Sequence, residues 1–336
     1  MSKIGKVTGF TPVLAAILGN AIVTIIKFIA FFVSGSSVLF SEAIHGVADT
    51  TNQSLLMLGL KRSIKKADED YVYGYGRERF FWAVISACGI FFLGAGVTIY
   101  HGINSMMHLE PMTKHSIVYI VLIVAFIVES ITLYLAWREL KKNFPAHSFR
   151  EIISEGDPST LAVFYEDSVA VTGVVIAIIS IALSYLTKNY YWDAVGSIII
   201  GVMLGITAVV LIIKNRQYLI GHSIPEELHD EIIELLQADP VIEKVIDFKS
   251  TVLDVGVYRI KCEIEFNGNA LFRELYRGKT LEDEFELVKD DYEEFKKFCV
   301  DFADRVPRLV GKKIDEIENK LKKEYKSVKY IDIELN

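Results

Sequence analysis

The sequence has 336 residues, of which 51% are hydrophobic and 24% are charged. Residues 222–336 hold 19 Lys and Arg against 28 Asp and Glu, while the whole chain has a net charge of −7. This acidic last third argues against nucleic acid as a partner. The three cysteines, Cys88, Cys262 and Cys299, form no Cys-x-x-Cys pair, which argues against a disulfide framework or a thiolate zinc site.

Six long apolar runs occupy the first two thirds of the chain and are separated by short polar segments. They cover residues 12–33, 38–60, 80–103, 116–137, 159–186 and 192–213. Each run is long enough to cross ~30 Å of hydrocarbon at about 1.5 Å per helical residue. The pattern predicts an α-helical membrane protein in which residues 1–221 form six transmembrane helices in a lipid bilayer.

The charges of the connecting segments predict the orientation of these helices. Basic residues gather at the start of the chain, between runs two and three, between runs four and five, and after run six. In the other three connections the only Lys or Arg residues are Lys114 and Lys188. Because basic loops stay on the cytoplasmic side of a membrane, both termini are expected in the cytoplasm.

Residues 222–336 have a different pattern, which is typical of a small α+β domain. The sequence predicts an amphipathic helix over 226–236, strands over 241–253 and 255–266, and a final strand over 327–335. Residues 267–286 have no clear periodicity. A long helix is expected over 287–325, either continuous or interrupted at Pro307. The expected order is therefore α-β-β-α-β, on the cytoplasmic side.

His45 and Asp49 lie in the second apolar run, and their spacing places them on one face of a helix. Ionisable side chains at membrane depth are unfavourable, so they usually face the interior of a helix bundle and serve a function. An imidazole and a carboxylate at this spacing are suited to binding a divalent metal ion. The alternative is that the two side chains only bond each other and polar neighbours.

Glu166 and Asp167 are adjacent carboxylates in the fifth run. They point about 100° apart on a helix, so both need not reach one ion, and a helix–helix hydrogen bond is the alternative. Together with His45 and Asp49 they offer one nitrogen and two or three carboxylates. This donor set suits Zn²⁺, Co²⁺, Fe²⁺ or Mn²⁺, and the donors alone do not choose among these ions.

Two further ionisable residues lie in the apolar runs, Lys27 in the first and Glu129 in the fourth. A structural ion pair between them would remove the need for either charge to stand alone at membrane depth. The alternatives are that Glu129 relays a proton or bonds a neighbouring hydroxyl, and that Lys27 extends towards the interface.

Three motifs in the same order resemble those of the cation diffusion facilitator family. They are residues 34–49 with Glu42-Ala43-Ile44-His45 and Asp49, Tyr73-Gly74-Tyr75-Gly76-Arg77-Glu78-Arg79, and Asp193-Ala194-Val195-Gly196-Ser197. The resemblance covers nearly the whole chain. It implies a homodimeric exporter of divalent metal ions, often of zinc in exchange for protons, with a ferredoxin-like cytoplasmic domain.

The fifth run departs from the common pattern of that family. Four residues before Asp167 the family has a ligand, but this chain has Val163, which cannot bind metal. Glu166 stands in for the missing ligand in a manner similar to the zinc transporter nine-like branch of the family. Metal ligands are thus expected at His45, Asp49, Asp167 and Glu166.

The resemblance favours a metal-ion efflux transporter rather than an enzyme, with zinc as the first candidate substrate and protons as the coupling ion. One alternative is an exporter of Mn²⁺, Fe²⁺ or Co²⁺, or a carrier coupled to another ion. An alternative of another class is a membrane scaffold that transports nothing and whose tail binds partners. No His-Glu-x-x-His motif supports an intramembrane metalloenzyme.

Overall fold

A computed structural model describes residues 10–109, 115–143, 149, 158–277 and 281–336. The chain forms two compact units, Met1–Ile220 and Gly221–Asn336. This division lies one residue before the predicted boundary between residues 221 and 222. His147, in the basic connection between the fourth and fifth apolar runs, lies outside the described residues.

The first unit is a bundle of long helices. Within the described residues its helices are α1 (Phe10–Ser34), α2 (Ser37–Ser63), α3 (Glu78–Gly89), α4 (Gly96–Met107), α5 (His115–Asn143), α6 (Pro158–Thr187) and α7 (Tyr191–Ile220). A π-helical segment, Ile90–Ala95, connects α3 to α4, so the two form one continuous rod. The six predicted apolar runs thus correspond to α1, α2, the α3–α4 rod, α5, α6 and α7.

Within the described ranges, five helical stretches are long and apolar enough to cross a membrane. They are Ile17–Ser34, Glu78–Met107, Val118–Lys142, Val163–Thr187 and Tyr191–Ile220. The predicted number was six, and α2 is the helix that falls short. It has 27 residues, but its Ser, Thr, Asn, Gln, Glu, His and Asp side chains lower its hydropathy. That α2 crosses the membrane therefore stays a prediction.

Helix α2 packs inside the bundle against α1, α3, α6 and α7. Its apolar residues Val38 and Leu39 belong to the buried core. Its polar residues Glu42, His45 and Asn52 are buried as well. Because its polar side chains are buried against neighbouring helices, α2 has a low hydropathy although it lies in an apolar bundle.

The start of α2 is fixed by a turn and a carboxylate. Gly35 has a φ of 70°, a left-handed conformation that glycine adopts without a steric penalty. Ser36 is the N-cap, and its hydroxyl donates to Oδ1 of Asp193 at 2.7 Å. Oδ2 of Asp193 accepts from the backbone N–H of Ser37 at 2.5 Å. Asp193, on α7, thereby anchors the N-terminus of α2 and complements its helix dipole.

The second unit contains a three-stranded sheet with the order β1-β2-β3, formed by β1 (Ile242–Asp254), β2 (Val257–Phe266) and β3 (Val328–Leu335). β1 pairs antiparallel with β2, and β2 pairs parallel with β3. The helices are α8 (Glu226–Gln237), α9 (Gly268–Leu275), α10 (Leu281–Val288) and α11 (Tyr292–Glu324). The buried core joins the sheet to α8 and α11 through Ile232, Leu236, Ile260, Ile264 and Leu321.

Two predictions for this unit were wrong. Residues 267–286 were expected to be irregular, but they contain α9 and the start of α10. Asn267 caps α9 by accepting from the N–H of Ala270, so a local side-chain bond forms this short helix. The long helix begins at Tyr292 after the cap Asp291 and continues through Pro307 without a break.

Candidate metal centre

The His45–Asp49 pair forms as its spacing predicts. Nε2 of His45 lies 3.4 Å from Oδ1 of Asp49, one turn further along α2. The His45 side chain is 2% exposed, so both its ring nitrogens lie within the bundle. A nitrogen and a carboxylate oxygen thus stand side by side in a setting where unpaired polar groups are unfavourable.

Glu166 of α6 is held by a polar chain that reaches across the bundle. Its Oε2 accepts from Nδ2 of Asn52 on α2, and Oδ1 of Asn52 accepts from the hydroxyl of Ser86 on α3. All three residues are buried. The bond to Ser86 fixes the amide of Asn52 with its NH₂ group towards Glu166. The sequence pattern did not reveal Asn52 or Ser86, because such residues are common in packed helices.

Asp49 of α2 interacts with the two predicted ligands on α6. It interacts electrostatically with both Glu166 and Asp167, and α2 packs against α6. Asp167 also interacts with Glu129 of α5. The acids of α6 and the pair on α2 therefore belong to one polar region of the bundle.

Lys27 of α1 lies between two buried acids. Its Nζ is 3.0 Å from Oε2 of Glu42 and 3.5 Å from Oε1 of Glu129. Glu129 was the predicted partner of Lys27. The shorter contact, however, is with Glu42, a residue of the family motif for which no ion pair was predicted. The position of Glu42, one turn before His45 on the same helix face, could have indicated that its side chain is buried in the same polar region.

Four atoms of this region are buried without a hydrogen-bond partner. They are Oε1 of Glu42, Nδ1 of His45, Oε1 of Glu166 and Oδ2 of Asp167. Buried polar groups are normally paired, so unpaired atoms call for an explanation. Three of the four belong to predicted ligands, and all are chemically able to accept a proton or bind a cation.

The predicted ligands are arranged as two pairs rather than as one completed set. Within the described ranges, no group of three or more His, Cys, Asp or Glu side chains stands close enough to hold a metal ion. The structure brings His45 and Asp49 together, whereas Glu166 is turned towards Asn52. The donor types fit a borderline divalent ion, and Glu166 or Asp167 would have to turn to complete its coordination.

Gly173 of α6 leaves the space that the carboxylate of Glu42 occupies. A Cβ at this position would lie 2.6 Å from Oε1 of Glu42 and 3.8 Å from Nδ1 of His45. The first distance is shorter than a van der Waals contact allows. A glycine is therefore needed for α6 to approach α2 with Glu42 in its observed place.

Comparison with known proteins identifies the family. Residues 13–220 match the family described as the cation efflux transmembrane domain. The chain belongs to the cation efflux family. This confirms the resemblance inferred from the three motifs, and it agrees with the expectation of a transporter rather than an enzyme.

Three relatives illustrate the range of similarity. The human protein named "Proton-coupled zinc antiporter SLC30A9, mitochondrial" is 33% identical over 328 residues, which are 96% of this chain and 58% of the relative. "Metal tolerance protein C4" of Arabidopsis thaliana is 32% identical over 330 residues, 96% of this chain and 72% of the relative. "Cation-efflux pump FieF" of Cronobacter sakazakii is 23% identical over 238 residues, 70% of this chain and 74% of the relative.

The first of these relatives confirms the predicted zinc transporter nine-like branch of the family. The chain spans only 58% of the length of that human antiporter.

Proposed function

We propose that this chain exports a divalent metal cation across a membrane in exchange for protons, with zinc as its first substrate. The observation that carries the proposal is the His45–Asp49 pair on α2, together with the buried carboxylate oxygens of Glu166 and Asp167 on α6 that have no hydrogen-bond partner. Membership of the cation efflux family supports the class of substrate. The name of the human relative supports zinc and proton exchange.

The ion is held by His45 and Asp49 from α2 and by Asp167, Glu166 or both from α6. An imidazole among carboxylates favours Zn²⁺ over Mg²⁺, because zinc binds nitrogen as well as oxygen. Mn²⁺, Fe²⁺ and Co²⁺ accept the same donors and remain alternatives to be compared directly. Turning Glu166 away from Asn52 breaks a buried hydrogen bond, at a cost of about 1–3 kcal/mol, which a metal–carboxylate bond offsets.

Protons compete with the metal for the same atoms. Metal binds to neutral imidazole and to ionised carboxylates, so these groups release protons when the ion arrives. A higher proton concentration on the receiving side therefore displaces the ion there. Metal affinity is expected to rise between about pH 5.5 and about pH 8, the range in which an ordinary imidazole loses its proton.

The transport unit requires α2 to be a sixth span. Its position among α1, α3, α6 and α7 supports this arrangement. Apolar side chains on the outside of α1 support lipid contact, with Ile22, Ile25 and Ile29 each more than half exposed. With six spans, both termini lie in the cytoplasm, as the basic loops predict.

The second unit is proposed to be a ferredoxin-like domain through which two chains associate as a homodimer. The α-β-β-α-β order, with α9 and α10 as additions, supports the fold. A three-stranded sheet exposes two edge strands, β1 and β3, and such edges favour association. Cross-linking in mild detergent that yields only monomers would contradict the homodimer.

Transport by reconstituted protein tests the proposed function. Purified full chain is placed in proteoliposomes, and uptake of Zn²⁺, Mn²⁺, Fe²⁺ and Co²⁺ is measured with and without a pH gradient. Asp49→Ala is expected to abolish uptake while inserting normally, and Glu69→Ala, on an exposed loop residue, serves as the matched control. Uptake by Asp49→Ala equal to wild type would refute the site. A wild-type protein without uptake of any ion would favour the scaffold.

A further inference from the structure

The first half of α11 carries a row of apolar side chains at alternating spacings of three and four residues. We call this row the α11 stripe, and its members are Tyr292, Phe295, Cys299, Phe302 and Val306. Tyr292 is 75% exposed, Phe295 is 48% exposed and Cys299 is exposed as well. Phe302 and Val306 are half-buried. The spacing is that of a seam between two packed helices, and large apolar side chains left exposed in one row indicate a contact surface.

The α11 stripe continues the face of the helix that packs on the sheet. Ile317 and Leu321, in the second half of α11, belong to the buried core with residues of β2 and β3. About five helical turns separate Cys299 from Ile317, so both side chains point to the same side of α11. The sheet therefore covers this face in the second half of the helix, whereas the first half keeps the same face exposed.

Helix α10 lies along one flank of the stripe without covering it. Its Glu284 accepts from Arg305, the residue before Val306, at 3.0 and 3.2 Å. All eight residues of α10 are described, and none of them is buried. Its apolar side chains Leu281 and Phe285 are themselves exposed. The bond to Arg305 thus fixes α10 beside the stripe, and α10 widens the apolar surface rather than closing it.

The charges around the stripe permit a second copy of the same helix to approach. The residues that adjoin the seam on its two sides are Asp291, Lys296, Phe298, Ala303 and Arg305. The acids that stand on the outer face of the same helical segment are Glu293, Glu294, Asp301 and Asp304. Like charges are thereby kept away from the seam, while the outer acids repel an anionic lipid surface.

The stripe is also complementary to itself when one copy is reversed. In an antiparallel pair, Tyr292 at one end lies opposite the smaller Val306 of the second copy, and Cys299 lies near the centre. Asp291 then lies on the side of Arg305 of the second copy, so the flanking charges are opposite in sign. A contact between identical surfaces of two chains requires this kind of two-fold match.

We propose that the α11 stripe joins two copies of this chain, with the first halves of their α11 helices packed antiparallel. The inference rests on the homodimer proposed for the second unit and names a surface for it other than the sheet edges. A parallel pair would bring both sheets to the same end and the same side of the seam, where they would collide. An antiparallel pair directs the two sheets to opposite ends, so both remain packed on their own helices.

Cys299 gives this contact a native reporter. In the antiparallel pair the two Cys299 side chains stand close together across the seam, within reach of the short thiol linker bismaleimidoethane. A contact between two short helical segments opens with a much smaller free energy than the core around β2. Cys299 therefore still reacts with small reagents before the buried Cys262, although it lies within the dimer contact.

The experiment uses the full chain in mild detergent. Bismaleimidoethane is added to the wild type, and mass spectrometry identifies the cross-linked peptides. The expected product is a dimer joined through Cys299 of both copies, which Cys299→Ser abolishes. Analytical ultracentrifugation over a range of protein concentrations measures the dissociation constant of the dimer. Phe295→Glu is expected to raise this constant by about 10-fold or more and to remove the cross-link.

Val300→Glu is the matched control, because it places the same charge on the same exposed stretch of helix but outside the stripe. It is expected to keep both the cross-link and the dissociation constant of the wild type. Equal thermal unfolding midpoints of the two Glu variants show that neither effect comes from misfolding. A dimer without a cross-link through Cys299, or equal effects of the two substitutions, would overturn the inference and assign the stripe to another partner.

The outcome is independent of metal transport, because no residue of the stripe belongs to the expected metal site. A chain that dimerises through Cys299 but takes up no ion in proteoliposomes would overturn the proposed transport and leave this contact intact. A chain that takes up zinc as a monomer, or as a dimer without the Cys299 cross-link, would overturn the contact and leave transport intact.

Discussion

The ammonium of Lys27 and the carboxylate of Glu42 form an ion pair of 3.0 Å, and neither side chain is more than 2% exposed. The two residues are 15 positions apart and lie on α1 and α2. Their contact therefore fixes how these two helices are rotated and aligned against each other. Charges in such a setting are tolerated only as partners, so each depends on the other.

Lys27→Met is expected to destabilise the bundle, because it leaves Glu42 and Glu129 buried without their cation. Breaking a buried pair by removing one partner typically costs about 3–5 kcal/mol. The thermal unfolding midpoint in mild detergent measures the effect. Lys296→Met is the control, since it removes one partner of an exposed pair with Glu293, a contact worth about 0–1 kcal/mol. Equal midpoints for the two variants would contradict a structural role of the buried pair.

Asp193→Ala is expected to loosen the start of α2. The substitution removes the acceptor of the Ser36 hydroxyl and of the Ser37 N–H. Leaving such buried donors unsatisfied costs about 1–3 kcal/mol. Hydrogen exchange followed by mass spectrometry should show faster exchange over residues 36–40. Exchange in α8 of the second unit should be unchanged and serves as the internal control. If residues 36–40 exchanged at the same rate in the variant as in the wild type, Asp193 would not stabilise the start of α2.

Helix positions were predictable from sequence, whereas helix contacts were not. The apolar run 12–33 differs from α1 by two residues at its start and one at its end. The length of an apolar run follows directly from the thickness of the membrane, so it is visible in one sequence. The pairing of Lys27 with Glu42, or of Glu166 with Asn52, depends on rotation and alignment between helices, which hydropathy does not encode.

The second unit shows a similar limit. Its three strands were predicted within three residues of their ends because their alternating pattern is local. Helix α10 was not predicted, because the stretch is short and highly charged. It is stabilised across the fold, where Glu284 accepts from Arg305 of α11 through both of its oxygens at 3.0 and 3.2 Å. Such a paired contact appears only once the chain is folded.

Cys262 and Cys299 are expected to differ strongly in reactivity. Cys262 is buried in β2, and this burial raises the pKa of its thiol to about 12, whereas Cys299 on α11 is exposed. Because the thiolate is the reactive form, iodoacetamide at pH 8 should label Cys299 first. Mass spectrometry of native and denatured protein measures the difference. Equal labelling of both thiols in the native protein would contradict the buried position.

The same shift has a consequence for stability at high pH. The folded pKa lies above the ordinary value of 9, so the unfolded chain releases the Cys262 proton first as the pH rises. The contribution of this group to stability is present in full below about pH 9 and is lost progressively towards about pH 12. A Cys262→Ser variant should lose that part of the pH dependence.

Glu166→Gln is expected to keep the fold and part of the metal binding but to weaken coupling to the proton gradient. Glutamine retains an oxygen that accepts from Nδ2 of Asn52, so the chain through Ser86 persists. It cannot, however, ionise to receive a metal ion or carry a proton when it turns towards His45 and Asp49. Stimulation of zinc uptake by a pH gradient should therefore fall, while uptake without a gradient falls less.

Asn52→Leu separates the two roles of Glu166. This variant removes the donor that holds Glu166 in place but leaves the carboxylate itself, so dependence on the pH gradient should persist. If Glu166 served only to join α2 to α6, Asn52→Leu would lower the unfolding midpoint, and neither variant would change that dependence. A gradient dependence lost with Glu166→Gln and retained with Asn52→Leu would assign proton transfer to the carboxylate, because Glu166→Gln removes the acid and keeps the contact, whereas Asn52→Leu removes the contact and keeps the acid.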